Sequence, residues 1–374
     1  MVSLPKTKTI SLALQGGGAH GAYTWGVLDR LLEDERIEIH AISGTSAGAI
    51  NAAVLVNGFA KGKYKGARKA LEELWNAISD VSFVSPLQQM PWDRWINGWN
   101  LDSSPMYTLY DLWTRLASPY DLNPLDVNPL RTVLETQLDV KLLNEHKGMK
   151  LFVTATSVRT GRAHIFHCDE ITIDVLLASA CLPTMFQAVR IDDEIFWDGG
   201  YTGNPAIWPL IYHADARDIM LVQINPFVRE EEPKHASEII NRMNEIGFNS
   251  ALIGELRAIN FVSKLIHKNK LDEKEYKDLR MHLIYSPKEL HDLNASSKLN
   301  ANWDFFVYLR DIGRTAADSW LENNYDSLGT RATLDFDSIF ELHKKSAQST
   351  GTEKKPAHKQ SANLKPSLNQ KKKA

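Results

Sequence analysis

The chain has 374 residues, 43% of them hydrophobic, and a formal net charge of −3. That composition is ordinary for a soluble protein and supplies a sizeable core, with no overall basic excess that would point to a specific nucleic-acid partner. Only two cysteines occur, Cys168 and Cys181. They exclude a disulfide-built scaffold, and with His164 and His167 they do not complete a zinc-ligand spacing, so no metal is expected.

In chain order, Met1–Ile10 lacks the apolar core of a signal peptide, and nowhere do 18 apolar residues run uninterrupted. The expected location is the cytoplasm or the membrane periphery, with export by a route that reads no N-terminal signal left open. Thr9–Leu14 reads as a buried strand, Gln15–Gly18 as a glycine turn, and Ala19–Glu33 as a helix with Tyr23, Val27, Leu28, Leu31 and Leu32 on one face. The same logic repeats at once: His40–Ser43 is extended, Gly44–Gly48 is a tight turn and Ala47–Val56 is a helix rich in small residues. Strand, turn and helix in repetition predict an α/β fold with a mostly parallel sheet. Further strands are expected at Lys150–Ser157, Ile195–Trp197 and Ile219–Ile224, and near Met281–Tyr285.

Two stretches interrupt this pattern and read as helical cap or lid insertions, at about 58–149 and 226–280. The first carries a lysine- and glycine-rich break at Gly58–Gly66 and a helix over Ala67–Ile78. Trp92, Trp95, Trp99 and Trp113 follow, and a proline-capped helix begins near Leu130. The second is charged, with Ile239, Ile240, Met243, Ile246, Phe248 and Leu252 among its apolar positions, and reads as a lid or a dimer surface. A late helix spans Trp303–Leu321, and the folded domain is expected over residues 8–342. From Lys344 onward nine lysines face the single Glu353, which predicts a basic, disordered tail over 343–374 able to attract an anionic membrane.

Gly16-Gly17-Gly18-Ala19-His20-Gly21 fits a dinucleotide fingerprint literally. The acidic residue at the right distance, Glu38, is followed by Ile39-His40 instead of closing a strand, which weighs against a nucleotide cofactor. The alternative is chemical. Three glycines at a helix start leave backbone N–H groups free to converge on an oxygen that gains negative charge. A third reading, a tight turn and nothing more, leaves the second glycine turn unexplained.

That second turn, Gly44-Thr45-Ser46-Ala47-Gly48, is a nucleophile elbow between an extended run and a helix. Ser46 needs a base. His213, His282 and His291 are candidates by the usual serine–acid–histidine order, but none sits in a glycine-marked turn after a strand. Asp198 does: Ile195-Phe196-Trp197 ends on it, and Gly199-Gly200 lets the backbone turn immediately. Apolar neighbours would raise its pKa above the ordinary aspartate value of about 3.9.

Together these residues resemble the patatin-like phospholipase family over roughly Ile10 to Ile224. Residues 16–21 look like its oxyanion motif, 44–48 its nucleophile motif and 198–200 its catalytic aspartate motif. The resemblance implies an α/β/α fold and a Ser–Asp dyad that works without a catalytic histidine, metal or organic cofactor. Ser46 would be the nucleophile and Asp198 the base. The backbone of Gly17, Gly18 and Ala19 would form the oxyanion hole, with Gly16, His20, Gly21, Gly44, Gly48, Gly199 and Gly200 in support. The expected substrate is a phospholipid or other acyl lipid, approached by peripheral membrane contact, with homodimerisation left open. A serine thioesterase or protease on the same dyad, or a noncatalytic lipid-binding scaffold, are the alternatives. One position departs from the motif: His20 stands where Arg or Lys is common, so a positive charge there would depend on protonation.

Overall fold

The structure, a computed structural model, describes residues 7–82, 98–102 and 104–340. Trp92, Trp95 and the basic tail at 343–374, to which sequence reading gave an apolar cap and a membrane contact, lie outside the described residues. Residues up to Leu334 form one compact unit. A short helix at Phe336–Phe340 belongs to a second.

The first unit is a central eight-stranded sheet flanked by helices, the α/β class read from the sequence. Its strands are β1 (Lys8–Leu14), β2 (Ile37–Thr45), β3 (Lys150–Ser157), β4 (Ala163–His167), β5 (Val189–Ile191), β6 (Glu194–Asp198), β7 (Asp218–Val222) and β8 (Arg280–Ile284). The order is β5-β6-β3-β2-β1-β7-β8, with β4 also paired to β3. From β3 to β8 the neighbours run parallel. The pairs β3–β4, β3–β6 and β5–β6 are antiparallel. Parallel strands covered on both faces need continuous apolar runs. Ile10, Leu12, Ala13 and Leu14 of β1 and Leu151, Val153 and Ala155 of β3 accordingly have no solvent exposure.

Helix α1 (Gly21–Glu33) follows the first glycine turn and packs mainly against α11 (Trp303–Asn324). Three helices meet on one charged cluster there, because Asp29 of α1 pairs with both Arg68 of helix α2 (Ala47–Ser82) and Arg314 of α11. Helix α2 is broken at Gly62–Lys63, where Lys63 has φ of 53°, so the chain folds back inside the predicted lysine–glycine stretch. Shorter helices follow: α3 (Pro105–Leu116), α4 (Pro119–Leu122), α5 (Pro129–Gln137), α6 (Val140–Glu145), α7 (Ile173–Ser179) and α8 (Trp208–His213). Helices α3, α4 and α5 each start with proline at the first position behind a Ser or Asn cap, where the missing N–H costs nothing.

The second predicted insertion forms one helix, α9 (Ala236–His267), and its two ends differ. Leu252, Leu256, Ile259 and Ile266 are buried, and Glu255 accepts hydrogen bonds from the N–H groups of Ile207 (2.7 Å) and Trp208 (2.9 Å) at the start of α8. The first half exposes Ile239, Ile240, Met243 and Ile246. A short helix α10 (Pro287–His291) and the loop 294–300 then lead to α11. Among the described residues no helix is long and apolar enough to cross a membrane.

Candidate active site

Strand register explains how two loops about 150 positions apart in sequence meet. β2 pairs with β3 up to Thr45 opposite Thr154. β4 takes the opposite edge of β3, since it pairs with residues 152–156. β6 pairs with residues 155–157, starting from Asp198 opposite Ala155, so it occupies the edge that β2 vacates. β2 runs toward this junction parallel to β3 and β6 runs toward it antiparallel. Their last residues therefore arrive together, with Ser46 one position beyond Thr45 and Asp198 at the tip of β6.

Ser46 sits between β2 and α2 with φ of 54°, the left-handed region that a serine adopts only when its surroundings impose it. Its N–H donates to Ser179 Oγ (2.9 Å), and that hydroxyl donates in turn to the carbonyl of Thr154 (2.7 Å). Ser179, fully buried at the end of α7, thus ties the elbow to β3. Sequence reading missed it, because a serine inside the apolar run of residues 173–179 carries no local mark. Ser179→Ala removes both bonds and leaves a buried N–H and carbonyl to find water. It is expected to cost about 1–3 kcal/mol in urea unfolding and to lower activity as the elbow loosens.

Asp198 is 2% exposed. Its carboxylate accepts the Gly200 N–H at 2.7 Å, and it lines the same cavity as Ser46. Its own N–H donates to the Cys181 carbonyl (2.7 Å), and its carbonyl accepts from Thr156 Oγ1 (2.8 Å). Burial pushes the carboxyl up from 3.8 to about 7, against the opposing pull of the Gly200 N–H, the Ser46 side chain and the Lys298 ammonium. A carboxyl raised this far can take up and release a proton near neutral pH. Gly199 is required by contact, since a Cβ there would run into the Thr154 carbonyl and stand 3.0 Å from Thr45 Cγ2.

The first glycine turn closes over the same point. A Cβ on Gly16 would lie 2.6 Å from Ser46 Cβ and 2.7 Å from the Thr45 carbonyl, so only glycine lets the two turns pass. Gly16 spends its N–H on Asn204 Oδ1 (2.6 Å), and its carbonyl accepts from Asn225 Nδ2 (2.8 Å). Gln15 Oε1 accepts from the N–H groups of Ile224 and Asn225, both at 2.8 Å. Gly17, Gly18 and Ala19 come next and open a short 3₁₀ turn, Gly18–His20. N–H groups at such a start have no acceptor within the turn, and those of Ala47 and Gly48 stand in the same position at the start of α2. None of Gln15, Asn204 and Asn225 was legible as a support, since each acts across the sheet.

Gly16–Ala19, Ser46, Ala47 and Asp198 line one cavity of about 300 Å³. The rest of its wall is mostly apolar, with Ile50, Trp75, Leu130, Met185, Phe186 and Phe248. Ser46 is half-buried and opens onto it. None of the described lining residues is a histidine. His282 is fully buried between Asp218 Oδ1 and Thr333 Oγ1, both at 3.0 Å. His213 lies against Phe152 and His167, and His291 pairs with Asp292. His20 also lies outside the cavity lining, and its Nε2 meets Ser297 Oγ at 2.8 Å. Burial, reinforced by the Lys298 and Arg229 charges, holds the His20 ring well below its ordinary value and therefore neutral. Glu38 pairs with Thr9 at the end of β1 remote from the glycine turn, where it is out of reach of anything bound at residues 16–18.

No curated protein matches the chain. Among solved structures it is similar to VipD from Legionella pneumophila, at 17% identity over 85% of this chain and 68% of that one, with a TM-score of 0.36. It is also similar to the type III effector protein ExoU, at 14% identity over 85% of this chain, with a TM-score of 0.32. For the ExoU–SpcU complex of Pseudomonas aeruginosa the values are 14%, 86% and 0.34. The chain spans about half the length of these ExoU chains, 53% and 52%. The family model described as patatin-like phospholipase matches residues 12–211. That span is more than half of the chain and takes in the glycine turn, the elbow and the tip of β6, so the protein belongs to the patatin-like phospholipase family of lipid hydrolases.

Proposed function

We propose that the protein hydrolyses ester-linked fatty acyl groups of phospholipids or related lipids through an acyl-enzyme on Ser46. The observation that carries this reading is that a half-buried serine and a buried carboxylate line the wall of one apolar cavity. Asp198 accepts the hydroxyl proton as Ser46 Oγ bonds to the ester carbon. The resulting oxyanion is met by the N–H groups of Gly17, Gly18 and Ala19, with Ala47 as a further donor. Collapse breaks the ester C–O bond, and Asp198 returns its proton to the departing alcohol. Water then loses a proton to Asp198 and attacks the acyl carbon. The fatty acid leaves, and the proton returns to Ser46 Oγ.

The apolar lining favours an acyl chain over a peptide. Two exposed apolar stripes favour delivery from a lipid surface. Met106, Leu109, Leu112, Trp113 and Leu116 lie along α3, and Ile239, Ile240, Met243 and Ile246 precede the cavity residue Phe248 on α9. The protein is expected to react with a fluorophosphonate at Ser46 and to release fatty acid from phospholipid vesicles. Labelling without fatty-acid release would turn the reading toward a thioesterase or protease. A folded protein that does neither would be the noncatalytic scaffold.

A further inference from the structure

The cavity contains a second charged residue that the reaction above does not use. Among its described lining residues the charged side chains are Asp198 and Lys298. Lys298 belongs to the loop 294–300, which joins α10 to α11 and lies far from every sequence motif. The loop is seated on the glycine turn. A Cβ added to Gly18, whose φ is +58°, would stand 2.6 Å from the Lys298 carbonyl and 3.4 Å from Lys298 Cβ. Ser297, the preceding residue, meets the His20 ring, and its hydroxyl donates to the Asn294 carbonyl at 2.7 Å. The Lys298 ammonium donates to Asn225 Oδ1 at 2.7 Å, and the amide of the same asparagine donates to the Gly16 carbonyl. One short chain of contacts therefore holds this ammonium against the turn that faces Ser46.

We propose that Lys298 is the charge partner of Asp198, a positioning residue that keeps the base ionised inside an apolar cavity from a loop clamped onto the glycine turn. The proposal rests on the dyad reading above. An unpaired carboxylate in an apolar wall takes up a proton and ceases to act as a base. The groups facing Asp198 are the Ser46 hydroxyl, the Gly200 N–H, the Lys298 ammonium, the Cys181 thiol and the Tyr201 phenol. Both the thiol and the phenol are pushed up by burial to about 12, so neither carries charge at neutral pH. Facing Lys298 are Glu245, Arg229, Asp198 and His20. Burial lowers Lys298 from its ordinary value, the Arg229 charge adds to that, and the carboxylates of Glu245 and Asp198 oppose it. His20 is neutral and Arg229 is bound to Glu245 at 2.8 Å, while Lys298 is the cation that lines the same cavity as Asp198.

The test is the rate of fluorophosphonate reaction at Ser46 from about pH 5 to about pH 9 in wild type, Lys298→Met, Lys298→Arg and Ser46→Ala. Loss of the ammonium removes the pull that lowers Asp198. The acid limb of Lys298→Met is then expected to move to higher pH by about one unit, with a rate about tenfold lower on that limb. Lys298→Arg keeps the charge and should return the limb to its wild-type position, a rescue that a purely structural lysine would not give. If Lys298→Met fails to fold, Lys298→Gln keeps a donor to Asn225 without the charge and carries the same expectation. A folded Lys298→Met or Lys298→Gln whose limb overlies that of wild type would overturn the proposal. If wild type itself fails to label while folded, the dyad reading falls, and the assignment of Lys298 falls with it.

Discussion

Ser46→Ala is expected to lower lipid ester hydrolysis by about 10⁴-fold or more while leaving the thermal midpoint close to that of wild type. The loss should be this large because no other hydroxyl in the described wall of the cavity stands against a buried carboxylate. The fold should tolerate the change because the backbone N–H of Ser46, not its hydroxyl, makes the bond to Ser179. Asp198→Asn should fall to a similar level, since an asparagine amide cannot take the proton. Groups that act as one unit are not additive, so the double variant should be no slower than either single one. Initial rates on a phospholipid and on a short-chain ester, with circular dichroism on each variant, decide the matter. Ser46→Ala activity within tenfold of wild type would mean another nucleophile. An Asp198→Asn protein that retains rate would mean another base, and the three histidines weighed from sequence would then need a route into a cavity whose described lining holds none.

How much of this was legible in the chain follows from how local each signal is. β1 and β2 announce themselves because an apolar run, a glycine turn and a helix lie within about 25 residues of one another, and Gly16, Gly44 and Gly48 are needed by contacts within these same elements. β2 proves longer than the run His40–Ser43, since Ile37 and Ile39 extend the inward-facing alternation backward. β6 was readable from Ile195-Phe196-Trp197 alone. Other elements were not, β4, β5 and α7 among them. β4 hides in an alternation broken by His164 and His167, β5 is three residues long, and α7 is an apolar stretch too short to show a helical period. Residues whose partners lie across the sheet left no trace either. Ser179, Asn204, Asn225 and Lys298 are ordinary polar residues until the register of β3 and the seating of the loop 294–300 are known. The sequence located the residues that the structure brings to one cavity, while the groups that hold them became visible only with the topology.

Asp198→Asn is also expected to make the protein more stable at neutral pH. The folded-state carboxyl titrates near 7 and its ordinary value is 3.8, so the folded state binds the proton more tightly than the unfolded one. Stability contributed by this group therefore falls as the pH rises from about 4 to about 7, and levels off above that. A difference of this size corresponds to roughly 4 kcal/mol between the two limits. The cause is the burial of a charge that the fold would shed if it could. Asparagine keeps the shape and can still accept the Gly200 N–H, but it has no charge to bury. The stability gap between the variant and wild type should widen with pH, reaching a rise of several degrees in thermal midpoint at about pH 8 and shrinking toward acid. Thermal unfolding of both proteins at matched ionic strength across that range measures it directly. A constant gap at all pH values would mean that the carboxylate is not strained, and a less stable variant at about pH 8 would mean that its hydrogen bonds outweigh its burial. On the mechanism proposed above, the same titration governs turnover in wild type. kcat/KM should rise with pH through about 7 as the buried carboxylate becomes the base, so the condition that activates the enzyme is the one that costs it stability.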